Sequence, residues 1–130
     1  MPAKDTTPNR RFPADVVDEL ARARILGVRS GAEHKYTGVW VVVVEGRVFA
    51  RSWNDKPTGW FRAFRAQPLG SLSFGKQEAE VRALPVRSQR LREAVSAAFA
   101  TKYNTKASQK WVEGFAQPER VANTVEFVPA

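Results

Sequence analysis

Residues 51–60 read Arg-Ser-Trp-Asn-Asp-Lys-Pro-Thr-Gly-Trp, two indoles bracketing a short polar loop, with Arg62 and Arg65 just beyond. Guanidinium, ammonium and hydroxyl groups at the end of a strand are what phosphate oxygens bind. Gly59, placed where a helical stretch starts, offers backbone N–H groups at a positive dipole end. A flat indole beside them can stack on a planar ring. The candidate constellation is Arg51, Ser52, Trp53, Asn54, Lys56, Thr58 and Trp60. By residue type alone, Trp53 and Trp60 suit a packed core at least as well as a ligand platform.

Other chemistries find little to work with. His34 is the single histidine, in an expected turn, with no second ligand at helical or hairpin spacing, so no metal site is expected. No nucleophile elbow or Ser–His–acid set can be drawn, and no residue is assigned as catalytic. Tyr36 is the one candidate proton donor. Arg29-Ser30-Gly31 is neither a Walker loop nor a dinucleotide fingerprint. The chain has no cysteine, which excludes disulfides, thiolate metal sites and cysteine nucleophiles. No apolar run reaches the roughly 18 residues of a membrane span. The N-terminal charges are followed by no apolar stretch, so a cytoplasmic protein without a secretory signal is expected.

The formal net charge is +8 and is unevenly placed. Residues 46–92 hold ten Lys/Arg and three Asp/Glu, whereas residues 93–130 hold four of each. The excess therefore surrounds the 51–60 loop, where it would draw phosphates, nucleic acid or another anion.

The elements that must position these residues follow from periodicity. Phe12, Val16 and Leu20 share one helical face after Pro13. Residues 23–30 read as a strand. The uninterrupted run Val39-Trp40-Val41-Val42-Val43-Val44 reads as a central strand covered on both faces. Glu45-Gly46 predicts a tight turn into a partner strand over 47–53. In that strand Val48, Ala50 and Ser52 share the interior face. Arg47, Phe49, Arg51 and Trp53 share the other, facing a helix, a ligand or a subunit. A short helix over 60–67 precedes Pro68, and strands are expected over 71–74 and 79–87. Ser88 caps a helix over 89–103 with Leu91, Val95, Ala98, Phe99 and Lys102 in its buried stripe. A last strand covers 124–128, while nothing in 104–123 sets what it packs against. Short antiparallel strands joined by tight turns imply a small barrel or curved sheet of mainly β, β+α class. A disordered lead over 1–11 and one domain over 12–130 complete the expected organisation.

With those pieces in order, residues 20–103 resemble the flavin- and deazaflavin-binding split β-barrel superfamily. That group includes pyridoxamine-phosphate-oxidase-like proteins and deazaflavin-dependent nitroreductases. The matching pieces are Arg29-Ser30-Gly31, Val39-Trp40-Val41, Val48 to Ser52, Lys56-Pro57, Trp60 to Phe64 and Gln67-Pro68. The pattern is nearest to an uncharacterised bacterial branch, a domain family of unknown function. The resemblance implies a split β-barrel of about six antiparallel strands with peripheral helices. It also implies a homodimer with FMN or a deazaflavin in a groove between subunits, and oxidoreductase chemistry if the protein is an enzyme. Carried over, the cofactor-binding positions are Arg29, Ser30, Arg51, Ser52, Lys56 and Trp60. The chain departs from the deazaflavin enzymes at Ala63, where they carry asparagine, and in the bulkier Asn54-Asp55-Lys56 loop. Two other readings stay open: a basic module stacking nucleic acid on Trp53, and a cofactor-free barrel whose tryptophans pack a dimer.

Overall fold

The computed structural model describes residues 11–130, so all but Arg11 of the expected disordered lead lies outside the described residues. The chain is of mainly β, β+α class. Seven antiparallel strands form one curled, half-barrel sheet, and five helices lie around it. The strands are β1 Leu26–Ser30, β2 Thr37–Val39, β3 Val42–Val44, β4 Arg47–Arg51, β5 Leu69–Phe74, β6 Gln77–Pro85 and β7 Thr124–Pro129. The helices are α1 Ala14–Arg22, α2 Trp60–Ala66, α3 Gln89–Lys102, α4 Gln109–Phe115 and α5 Pro118–Val121, with a 3-10 turn over Lys106–Ser108.

Expectation and structure differ most in the valine run. It is not one central strand. It breaks at Trp40–Val41, and its halves, β2 and β3, are the two opposite edges of the sheet in the order β2-β1-β5-β6-β7-β4-β3. Only two residues join those edges. Three peptide steps reach at most about 11 Å, so the sheet has to curl until its edges nearly meet. The break leaves the backbone of Val41, a fully buried residue, outside the ladder. Helix α3 supplies the missing partners: Val41 N–H donates to Tyr103 Oη (3.1 Å), and Lys102 Nζ donates to Val41 O (2.7 Å). Tyr103 Oη donates in turn to Arg24 O (2.7 Å), and the Trp40 indole stacks on the Tyr103 ring at 3.9 Å. Buried backbone groups need partners wherever the sheet cannot give them. Here the end of one helix provides them.

The hairpin reads as expected. Glu45 and Gly46 have φ of 56° and 74°, the two positive values a type I′ turn requires, and Val44 pairs with Arg47. The alternation in β4 also holds. Val48 and Ala50 join a core with Leu26, Val28, Leu72, Val81 and Phe127, which α1 and α2 complete through Leu20, Phe61 and Phe64. Phe49 faces the other way, into a second core with Leu91, Val95, Phe99 and Tyr103 beneath α3. Each such fully buried side chain contributes roughly 1.5–3 kcal/mol. The Ser88 cap is present: its hydroxyl accepts from Leu91 N–H at 3.2 Å.

The latch on Val41 carries a pH signature. Burial, and secondarily the Arg24 charge, pull the Lys102 ammonium from 10.5 down to about 8. The unfolded chain then binds this proton more tightly than the fold does, so the penalty is full below pH 8 and is lifted between about 8 and 10.5. Denaturant titrations of the wild type and Lys102→Met at pH 7 and 9.5 measure it. The wild type should gain stability relative to the variant as pH rises; a difference that stays flat contradicts the assignment.

Candidate functional site

Strand β4 and helix α2 are joined by residues 52–59, and that loop is tied to itself. Ser52 Oγ donates to Asn54 O (2.5 Å), Lys56 N–H donates to Asn54 Oδ1 (3.1 Å), and Gly59 N–H donates to Lys56 O (2.9 Å). Asp55 accepts from Arg62 Nε at 2.7 Å, which holds its carboxyl below the usual range. The loop is thus pre-shaped. The turn uses Gly59's own N–H.

Behind this loop lies a cavity of about 550 Å³. Arg51, Ser52, Lys56 and Trp60 all line it, together with Asn54 and Thr58. So do Trp40, Trp53 and Trp111. Every tryptophan of the chain therefore faces one cavity, and no carboxylate of the described residues lines it. Arg29 and Ser30 line a second, smaller cavity of about 130 Å³ with His34 and Lys35. The two cavities share Thr37, Thr58, Gly59 and Trp60 in their walls. The six expected positions thus fall into two adjoining groups that meet at Trp60.

Their roles differ. Ser30 is spent locally: its hydroxyl lies 2.7 Å from Gln67 O and 3.0 Å from Ala63 O, closing the C-terminal end of α2. Arg51 is only 2 % exposed. Its Nε donates to Thr124 Oγ1 (2.8 Å), Nη1 to Ser96 Oγ (2.8 Å) and Phe115 O (2.9 Å), and Nη2 to Arg92 O (3.0 Å). Four of the five N–H groups of a guanidinium are thereby committed inside the protein, to neutral oxygens only. Burial, with the nearby Arg92 charge, pulls its pKa down to about 10, which leaves it cationic at neutral pH. Arg51 thus gives the cavity positive charge more than hydrogen bonds. Lys56 is exposed at the rim and makes no ion pair among the described residues. The Arg29 guanidinium lies over the Tyr36 ring at 4.5 Å, and its buried Nε has no hydrogen-bond partner among the described residues. A buried N–H without an acceptor is costly. Tyr36 donates to Glu78 (3.0 Å) and lines neither cavity.

The aromatic wall was only half visible in sequence. Trp60 packs edge-on against Phe61 and Phe64 and anchors α2 to the core while showing one side to both cavities. Trp53 is boxed in: Trp111 and Phe115 lie at 5.2 Å, and the Arg120 guanidinium is 3.7 Å from its ring centre. Trp111 and Phe115 come from α4, within the segment 104–123. Helix α4 approaches so closely because residue 114 is glycine; a Cβ there would lie 2.1 Å from Trp53 Cη2. Local sequence offers no sign that Trp111, Phe115 and Trp40 meet Trp53.

Among solved structures, the fold is similar to the conserved hypothetical protein Rv2991 from Mycobacterium tuberculosis. That match has a TM-score of 0.61 at 14 % identity and covers 94 % of this chain and 82 % of the other. It is also similar to an FAD-binding protein from Mesorhizobium loti, with a TM-score of 0.52 at 14 % identity, covering 89 % of this chain and 87 % of the other. Identity this low carries the fold alone. No curated protein matches the chain by sequence. The family model for uncharacterized proteins conserved in bacteria, DUF2255, matches residues 17–127, and the chain belongs to that family.

Proposed function

We propose that the two adjoining cavities bind a phosphorylated flavin, FMN or a deazaflavin. The observation that carries this reading is the pairing of surfaces. All four tryptophans converge on a cavity of about 550 Å³, within the range that holds cofactor-sized ligands. Cations from Arg51 and Lys56 on one side and Arg29 and Lys35 on the other stand around it without an acid. Trp53 and Trp60 are the groups for a planar ring, and the Arg29 guanidinium, which lines the smaller cavity, is the group for a phosphate oxygen. The FAD-binding neighbour of the same fold supports the reading. A flavin supplies hydride and electron transfer itself when bound, so an oxidoreductase needs no acid–base pair from the chain. This chain's residues bind, orient and exclude water. Ile25 and Trp111, 56 % and 45 % exposed, form an apolar lip on the same cavity. A second copy of the chain covering that lip makes a homodimer; light scattering should give twice 14.5 kDa, and a monomer mass at working concentration overturns it.

Equilibrium dialysis of FMN and riboflavin against the wild type and Arg29→Gln tests the phosphate assignment. A charge-assisted hydrogen bond contributes about 1.5–3 kcal/mol, at least about tenfold in affinity. FMN should therefore bind about tenfold more tightly than riboflavin, and Arg29→Gln should remove that advantage while leaving riboflavin unchanged. Equal affinities for both ligands in the wild type would falsify the phosphate site, and no binding of either would remove FMN as the ligand.

A further inference from the structure

The charge excess of residues 46–92 does not all belong to the tryptophan cavity. Several of those cations are spoken for. Arg47 pairs with Glu126, Arg62 with Asp55 and Arg90 with Glu45, while Arg51 is buried. Three others, Arg65 of α2, Arg87 of the β6–α3 link and Arg92 of α3, come from separate parts of the chain and line one different cavity of about 540 Å³. Its floor is apolar, made chiefly of Phe61, Phe64, Ala83 and Val125. The sole carboxylate among the described residues lining it is Asp55, which Arg62 already engages at 2.7 Å and Arg65 reaches at 3.9 Å. The guanidinium of Arg92 is set in place by its Nε bond to Val86 O (2.8 Å), which leaves its outer nitrogens available to a ligand.

This cavity is back to back with the first and not continuous with it. Arg51 and Ser52 line one; Arg92 and Asn123 line the other. The wall between them is the set of bonds that joins those pairs: Arg51 Nη2 to Arg92 O, Ser52 N–H to Asn123 O (3.2 Å) and Asn123 Nδ2 to Ser52 O (3.3 Å). No tryptophan lines it, and its two phenylalanines are 7 % and 3 % exposed. A single-stranded nucleic acid needs exposed rings on which to stack, and this floor has none. Guanidinium forks over an apolar floor instead match a headgroup that takes two parallel N–H bonds, on a body that prefers to leave water. We propose that this second cavity is a binding site for a small amphiphilic anion, a carboxylate or phosphate carried on an apolar chain.

The tryptophans make the two sites separable by experiment. The indoles of Trp40, Trp53 and Trp111 report on the first cavity, whereas Trp60 also packs on Phe61 and Phe64 of the second cavity's floor. In ¹⁵N-resolved NMR titrations, octyl phosphate and octanoate should shift the amides of Ala83, Asn123 and Val125 saturably, leaving the Trp40, Trp53 and Trp111 indole signals in place. The more responsive of the two identifies the headgroup. Octanol and inorganic phosphate, each carrying half of the ligand, should bind at least about tenfold more weakly. Arg65→Gln/Arg87→Gln changes two exposed side chains, so the fold should persist in its amide spectrum, and octyl phosphate should bind about tenfold more weakly to it. Octanol shifting the same amides as well as octyl phosphate does, or affinity unchanged in the double variant, overturns the proposal. So does a response of those three indole signals alone, which would place the ligand in the first cavity. Because riboflavin and FMN play no part in this titration, its failure leaves the flavin reading standing, and the reverse holds too.

Discussion

Arg51→Lys, the substitution that keeps the charge, is expected to lower stability by about 3 kcal/mol. It should lower the thermal midpoint by roughly 10 °C. The guanidinium fork joins its own strand β4 to Thr124 at the start of β7, to α3 through Ser96 and Arg92 O, and to α4 through Phe115 O. A lysine ammonium reaches one or two of those oxygens and leaves the others short of a donor at about 1 kcal/mol or more each. It also keeps the unfavourable part of the site. Among the described residues no carboxylate compensates the buried charge, and burial draws Arg51 down to about 10. Arg51→Met loses the same bonds but sheds that desolvation cost and keeps the stem against Phe99, whose ring the guanidinium faces at 5.5 Å. Thermal unfolding of the three proteins should rank wild type above methionine and methionine at or above lysine. A lysine variant as stable as the wild type would mean that charge, not the fork, holds these elements together. The order matters for function, since the Phe115 bond is one of those holding α4 over the cavity.

Gly114→Ala is the second large effect, and its sign runs against helix propensity. In an exposed helix the change gains about 1 kcal/mol. Here the new methyl would lie 2.1 Å from Trp53 Cη2 and 2.6 Å from Cζ3. Trp53 has little room to retreat, with Trp111 and Phe115 rings at 5.2 Å and Arg120 Nε bonded to its carbonyl at 2.9 Å. Overpacking of this kind costs typically 1–3 kcal/mol, and contact at this distance forces either the indole or α4 to move. Urea titration should show a net loss of about 1 kcal/mol, with a red shift of the folded-state tryptophan emission as Trp53 gains contact with water. An unchanged or raised midpoint would show that α4 does not rest on Trp53.

Much of the fold was legible from local pattern. The Glu45-Gly46 hairpin, the inward Val48 and Ala50, the Ser88 cap and the buried stripe of α3 rest on interactions within a few residues or on a strict period. The valine run misled for a physical reason. A buried edge and a buried centre select the same β-branched residues, and what breaks the run at Trp40–Val41 is a pair of side chains, Lys102 and Tyr103, some 60 positions away. The site was legible in the same proportion. The 51–60 loop was visible as a cluster of phosphate-binding residue types. That Arg51 turns its fork toward α3 and α4, that Ser30 spends its hydroxyl on α2, and that Trp40 and Trp111 complete the aromatic wall depend on tertiary approach. The need for glycine at position 114 appears only once Trp53 lies against it.

Titrating FMN into the wild-type protein while following tryptophan emission asks whether the cavity ringed by the four tryptophans takes the phosphorylated flavin proposed for it. Flavin against indoles drawn from all parts of the wall should quench most of the emission, saturably and at one FMN per chain. Arg29→Gln should move the titration about tenfold to higher FMN. Quenching that rises linearly without saturating into high micromolar FMN, as collision in solution would give, contradicts that proposal.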